Sequence, residues 1–243
     1  MPRLKYHPPA DWRLVSVSEL LRGSPRERAA QDQLDLWAAA PIKKTANVTE
    51  LFVAGDTSLL RKRCIAVIGT RDVSEAGRKR ATRIARELAE QDVVVVSGLA
   101  AGVDAYALQS AIANGGRTVA VIGTPLDKAY PAENKALQET IYQDHLLVSQ
   151  FRSGEIVHRS NFPARNKTMA MLSDATVVIE ASDTSGTLHQ AAECVRLNRW
   201  LGILKSVVDD PNLTWPKSFI NYRRCVVIDS TEALLSRVYE SDD

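Results

Sequence analysis

Between residues 64 and 204 one pattern recurs, and it restricts the fold more than any other feature of the chain. Apolar runs stand at Cys64–Ile68, 93–96, Thr118–Ile122, Leu146–Ser149, 175–179 and Trp200–Leu204. None alternates apolar with polar residues, so each reads as a strand buried on both faces. Between them lie stretches of helical spacing at 75–91, 105–114, 133–142, 162–172 and 188–197. In the first, Ala81, Ile84, Ala85, Leu88 and Ala89 fall on one face; the second ends at Gly115-Gly116, a natural helix stop. Strand and helix in strict alternation predict an α/β fold: a doubly wound, mostly parallel sheet with helices on both sides and right-handed crossovers. A chain of 243 residues, 45% apolar and 25% charged, has ample core for such a domain without disulfide or metal support.

The flanks are less regular. Residues 1–45 read as an N-terminal helical extension, with helical spacing at 18–21 and 27–40 and a stop at Pro41. The Rossmann-like domain is expected over 46–208. A C-terminal extension at 209–243 begins in the turn cluster Asp209-Asp210-Pro211-Asn212, adds a strand at Cys225–Ile228 and closes with a helix at 230–239. No winged helix is expected there. The three cysteines, Cys64, Cys194 and Cys225, show neither disulfide nor zinc spacing, which fits a cytoplasmic protein. No run is long enough to span a membrane. His7, His145, His158 and His189 have no metal-site spacing, and no metal or cofactor is expected. Thirty-one basic against 29 acidic residues leave a net charge of +2, so any anion site must be local.

Ligands of an open parallel sheet sit at the carboxyl ends of its strands. Here those ends run into small and hydroxyl residues: Gly69-Thr70-Arg71, Ser97-Gly98, Gly123-Thr124 and Ser185-Gly186-Thr187. Such loops let backbone N–H groups approach an anion, and a helix N-terminus adds its positive end. None matches a dinucleotide fingerprint or a Walker loop. The sharpest anomaly is Pro163-Ala164-Arg165-Asn166-Lys167, where two cations follow a helix start and oppose its dipole. An external anion would explain them. On that reading, removing Arg165 or Lys167 leaves the melting temperature unchanged or slightly higher. Asp104 and Glu180 are candidates for a ligand or for capping, and Tyr130, Phe162 and Trp200 for stacking, with Phe162 and Trp200 favoured as buried packing. No catalytic set stands out.

Together these motifs resemble the DprA/Smf family of DNA-processing proteins. The resemblance rests on IGTR at 68–71 with Ser74 and Gly77, SGLAAGVDAYA at 97–107, and GGRTVAVIGTPLDKAYPAEN at 115–134. It continues through FPARNKTMAMLS at 162–173 and VVIEASDTSGTLHQAAE at 177–193. It implies single-stranded DNA binding without hydrolysis, dimerisation, and loading of a RecA-type recombinase in DNA processing, recombination and natural transformation. It implies a DNA pocket lined by Arg71, Arg165 and Lys167; the loops themselves are expected to place Gly69, Thr70, Ser97, Gly98, Asn166, Ser185, Gly186 and Thr187 along the cleft. Leu108 stands where the family usually has His, and a shortened, divergent paralogue in a defence or toxin–antitoxin role is a variant of this reading. Two alternatives remain: a small-nucleotide sensor using the same loops, and a LOG-like nucleotide phosphoribohydrolase, which resembles the chain in fold and in the last loop. The second lacks its glutamate, because Gln190 stands in that place.

Overall fold

A computed structural model of the chain describes residues 5–27 and 48–240. In chain order the elements are β1 (Arg13–Ser16), α1 (Val17–Leu21), β2 (Glu50–Gly55), β3 (Cys64–Ile68), α2 (Glu75–Glu90), β4 (Val94–Ser97) and α3 (Val103–Ala113). Then come β5 (Thr118–Ile122), α4 (Lys135–Asp144), β6 (Leu146–Ser149), α5 (Asn161–Met171), β7 (Ala175–Val178), α6 (Thr187–Arg196), β8 (Trp200–Leu204), α7 (Lys205–Val208), β9 (Cys225–Ile228) and α8 (Thr231–Tyr239). All these strands join one sheet in the order β1-β2-β6-β5-β4-β3-β7-β8-β9. The pairs from β6 to β9 are parallel, and β2 and β1 close one edge in antiparallel fashion. The α/β class and the mostly parallel doubly wound sheet are as the alternation predicts.

The unbroken apolar runs are explained by burial on both faces. Along β5, Val119 and Val121 enter one core cluster, and Ala120 and Ile122 enter another. Successive side chains of a strand point to opposite faces, so each face has its own cover. Order runs β3-β4-β5-β6 in one direction and β3-β7-β8-β9 in the other. The direction therefore switches between β3 and β7, where the loops leaving two neighbouring strands part and open a crevice.

The described part of the N-terminal stretch holds a strand as well as the expected short helix. Arg13–Ser16 pairs with β2 and extends the sheet, while Val17, Leu20 and Leu21 bury into the main core. Beyond residue 27, the helix expected at 27–40 lies outside the described residues. The strand at Cys225–Ile228 pairs with β8 and a helix follows it, as expected.

Both flanks meet at one buried carboxylate. Asp174, just before β7, forms an ion pair with Arg26 Nη1 at 2.7 Å and accepts from the Cys64 amide and the Tyr239 hydroxyl, each at 2.8 Å. Arg26 is fully buried and also donates to the carbonyls of Leu60 and Lys62. One acidic group thus binds the N-terminal stretch, the central sheet and the closing helix.

Candidate functional site

At the switch between β3 and β7 lies a cleft of about 400 Å3, walled by the loops after β3, β4 and β7 and by the start of α5. Gly69, Thr70, Arg71, Arg165, Asn166, Ser185, Gly186 and Thr187 line it. The first loop is locked by its neighbours: Thr70 N–H donates to the Glu180 carbonyl at 2.8 Å, and the Thr70 carbonyl accepts from Val103 N–H at 3.2 Å. Gly102 has φ of +78°, and a Cβ there would collide with the carbonyl oxygens of Thr70 and Arg71. Only glycine lets α3 begin this close under the first loop.

Arg71 projects from that loop and is exposed. Among the described residues it has no carboxylate partner; its guanidinium lies over the Phe162 ring, 5.4 Å from the centroid. Phe162 in turn makes a tilted pair with Tyr130, centroids 5.3 Å apart. Tyr130 is 47% exposed and Phe162 half-buried, so packing does not bury Phe162 outright. Beyond Phe162 a second cavity of about 190 Å3 is lined by Gly98, Gly123, Tyr130 and Pro131, and shares Arg71 and Arg165 with the cleft. A cation stacked on an aromatic ring beside open space can meet a phosphate with its N–H groups and a base with its face.

Arg165 does something different from what its place in the sequence suggests. It is 5% exposed, donates from Nη1 to the Val121 carbonyl at 3.1 Å, and stands 3.8 Å from Asp104 Oδ2. A Cβ on Gly98 would overlap the guanidinium. Asp104 accepts from the amides of Gly98 and Ala100. Burial pushes the Asp104 carboxyl up and the Arg165 guanidinium down, and each charge counters the shift of the other. Asp104, which also lines the cleft, is not the N-cap of α3, which is Gly102; it staples the β4 loop and compensates Arg165. The expectation that Arg165 can be removed without harm to the fold does not fit this placement. The charge that opposes the α5 dipole is offset from within, by a buried carboxylate.

The other expected residues divide. Lys167 lies on the far side of α5, 3.8 Å from Glu193 Oε1, and does not line the cleft. Ser97 is fully buried and donates to the Val67 carbonyl at 2.7 Å, so its hydroxyl faces the sheet. Gly98 lines the second cavity. Glu180 accepts from the amide and hydroxyl of Ser74 at 3.0 and 2.6 Å, which fastens the head of α2 to the end of β7. Trp200 lies on β8 under the Arg224 guanidinium, away from the cleft. Gln190 lines the cleft from α6 while its amide reaches toward Thr176 in the core. His189, one of the histidines without metal-site spacing, is exposed and lines the cleft. Its place in the first turn of the helix that follows a glycine loop is the signal that marks it.

The chain has relatives. The sequence profile described as DNA recombination-mediator protein A matches residues 38–238. A DNA processing protein DprA of Streptococcus pneumoniae is 44% identical over 138 residues, which cover 57% of this chain and 49% of the relative. One of Bacillus subtilis is 30% identical over 70% of this chain and 58% of the relative. The chain thus spans about half the length of these curated relatives. Among solved structures, the S. pneumoniae protein superposes with a TM-score of 0.71 at 35% identity, covering 77% of this chain and 66% of that one. The DNA processing protein A of Helicobacter pylori, solved for its single-stranded DNA binding mode, gives 0.69 at 26% identity over 83% and 94%. A profile that spans most of the residues, and the same sheet in two of its members, place this chain in the family of DNA recombination-mediator protein A, the DprA/Smf proteins.

Proposed function

We propose that the chain binds single-stranded DNA at the β3/β7 switch and acts as a DNA-processing, recombination-mediating protein. The observation that carries this is Arg71, an exposed cation with no acidic partner among the described residues, stacked on Phe162 between two cavities. In this reading Arg71 meets a phosphate. Backbone groups of Gly69, Thr70, Gly98, Ser185, Gly186 and Thr187, with the Asn166 side chain, line the strand's path. Arg165 shapes the floor beneath Arg71, and Lys167, outside the cleft beside Glu193, adds to the positive field rather than to the lining. The chain acts as a binder rather than a phosphoribohydrolase, since Gln190, an amide that lines the cleft, stands where the hydrolase reading needs a glutamate.

The family supports two further proposals: the protein works as a cytoplasmic homodimer, and it hands its strand to a RecA-type recombinase. Two pockets on one strand raise the apparent affinity through effective concentration without any new contact. The test is binding of labelled single-stranded DNA, duplex DNA and a panel of nucleotides to the purified protein. Preferential single-strand binding that weakens with salt supports the reading. A nucleotide that raises the melting temperature while single strands bind only weakly would replace it with a sensor.

A further inference from the structure

One wall of the cleft is fastened from outside it. The loop after β7 supplies Ser185, Gly186 and Thr187 to the cleft. At its tip Gly186 faces open space: apart from its chain neighbours, nothing lies within 4 Å of where a Cβ would stand. Two residues before that tip's serine, the Asp183 carboxylate accepts from Thr214 N–H at 3.0 Å, from the Thr214 hydroxyl at 3.0 Å and from Trp215 N–H at 2.8 Å. The Trp215 indole donates back to the Ala181 carbonyl at 3.0 Å, and Trp215 is 5% exposed, seated in the main core. The loop is thus clipped on both sides of residue 182 to a segment that follows β8. Asp183 itself does not line the cleft.

We propose that Asp183 is a positioning residue for the nucleic-acid site: it holds the 185–187 amides in place by way of Thr214 and Trp215, and so makes the C-terminal segment part of the binding apparatus. The proposal rests on the cleft's being the nucleic-acid site. It carries a sign that distinguishes it from simple electrostatics. A carboxylate near an anion site repels the anion, so neutralising Asp183 tightens binding if charge is all that matters. If Asp183 positions the loop, neutralising it weakens binding instead.

The experiment uses the full chain and a fluorescent oligothymidylate, titrated at several salt concentrations, with wild type, Asp183→Asn and Trp215→Phe compared. Amide hydrogen exchange at 185–187 is followed alongside. Asp183→Asn is expected to weaken binding severalfold, with the salt slope unchanged because every phosphate-neutralising cation is still present, and to speed exchange at 185–187. Trp215→Phe, which removes the indole donor and part of the ring volume but leaves the Asp183 carboxylate and its backbone partners, moves both readouts in the same direction by less. Binding by Asp183→Asn that equals or exceeds wild type overturns the proposal. So does unchanged exchange at 185–187, whatever the chain binds. Failure of the wild type itself to bind the oligonucleotide, with exchange altered as expected, overturns the cleft's assignment and leaves the fastening in place.

Discussion

Arg71 and Arg165 lie in one cleft and share a cavity wall, yet they answer to different physics. Arg71 is solvated, paired with no acid among the described residues, and held only by a ring face. Replacing it by alanine is expected to leave stability within about 0.5 kcal/mol of wild type in a denaturant titration. Arg165 is buried beside Asp104. Arg165→Met keeps much of the volume but strands a buried carboxylate, and is expected to cost about 3 kcal/mol in the same titration. A cost within error of zero contradicts the internal pairing. Loss of binding in an Arg165 variant therefore says little about a direct contact, whereas loss in Arg71→Ala says much. The sequence made Arg165 visible as a cation at a helix start that disfavours it, and Arg71 as a cation in the loop after a buried strand. Only the fold brings Asp104 under α5, because that meeting depends on the lengths of two loops that no local pattern encodes.

At the scale of elements, the strands β3 to β8 were legible because burial on both faces leaves unbroken apolar runs. β1 was not: it is four residues long, lies on the edge and leaves Leu14 44% exposed, so neither a run nor a clean alternation marks it. The buried Arg26 was equally hidden, since nothing in Ser24-Pro25-Arg26-Glu27 distinguishes a core arginine from a solvated one. Its meeting with Asp174 and Tyr239 gives a test of how the flanks are held. Tyr239→Phe deletes one hydroxyl and its bond to a carboxylate, and is expected to lower stability by roughly 1.5–3 kcal/mol. Retained stability would show that α8 is held by packing alone. The Asp183 clip gives a second test. Amides of Trp215 and Thr214 hold the Asp183 carboxyl below its ordinary value. A depressed folded-state value stabilises above the unfolded one, near 3.9, and is lost as pH falls through the folded one. Protection of the 185–187 amides, corrected for intrinsic exchange, should thus be constant from neutral pH down to about 4 and fall below it. Protection that falls already near pH 6 points to a different group.

For the whole molecule, a net charge of +2 cannot attract nucleic acid by itself, so the attraction must come from a local site. No helix among the described residues is long and apolar enough to cross a membrane. If two copies share one strand, sedimentation should give twice the mass of the 26.7 kDa chain; a monomer at micromolar concentration, with and without DNA, contradicts the dimer. The most direct test of the central claim is the salt dependence of single-stranded DNA binding for wild type and Arg71→Ala, measured side by side. Arg71→Ala should bind more weakly, and the magnitude of its slope of log K against log salt should be smaller by roughly 0.7, because one phosphate fewer is neutralised. The deficit should be similar for different base sequences, since phosphates carry no base information. An unchanged slope and affinity would remove Arg71, and with it the cleft at the β3/β7 switch, from the binding site.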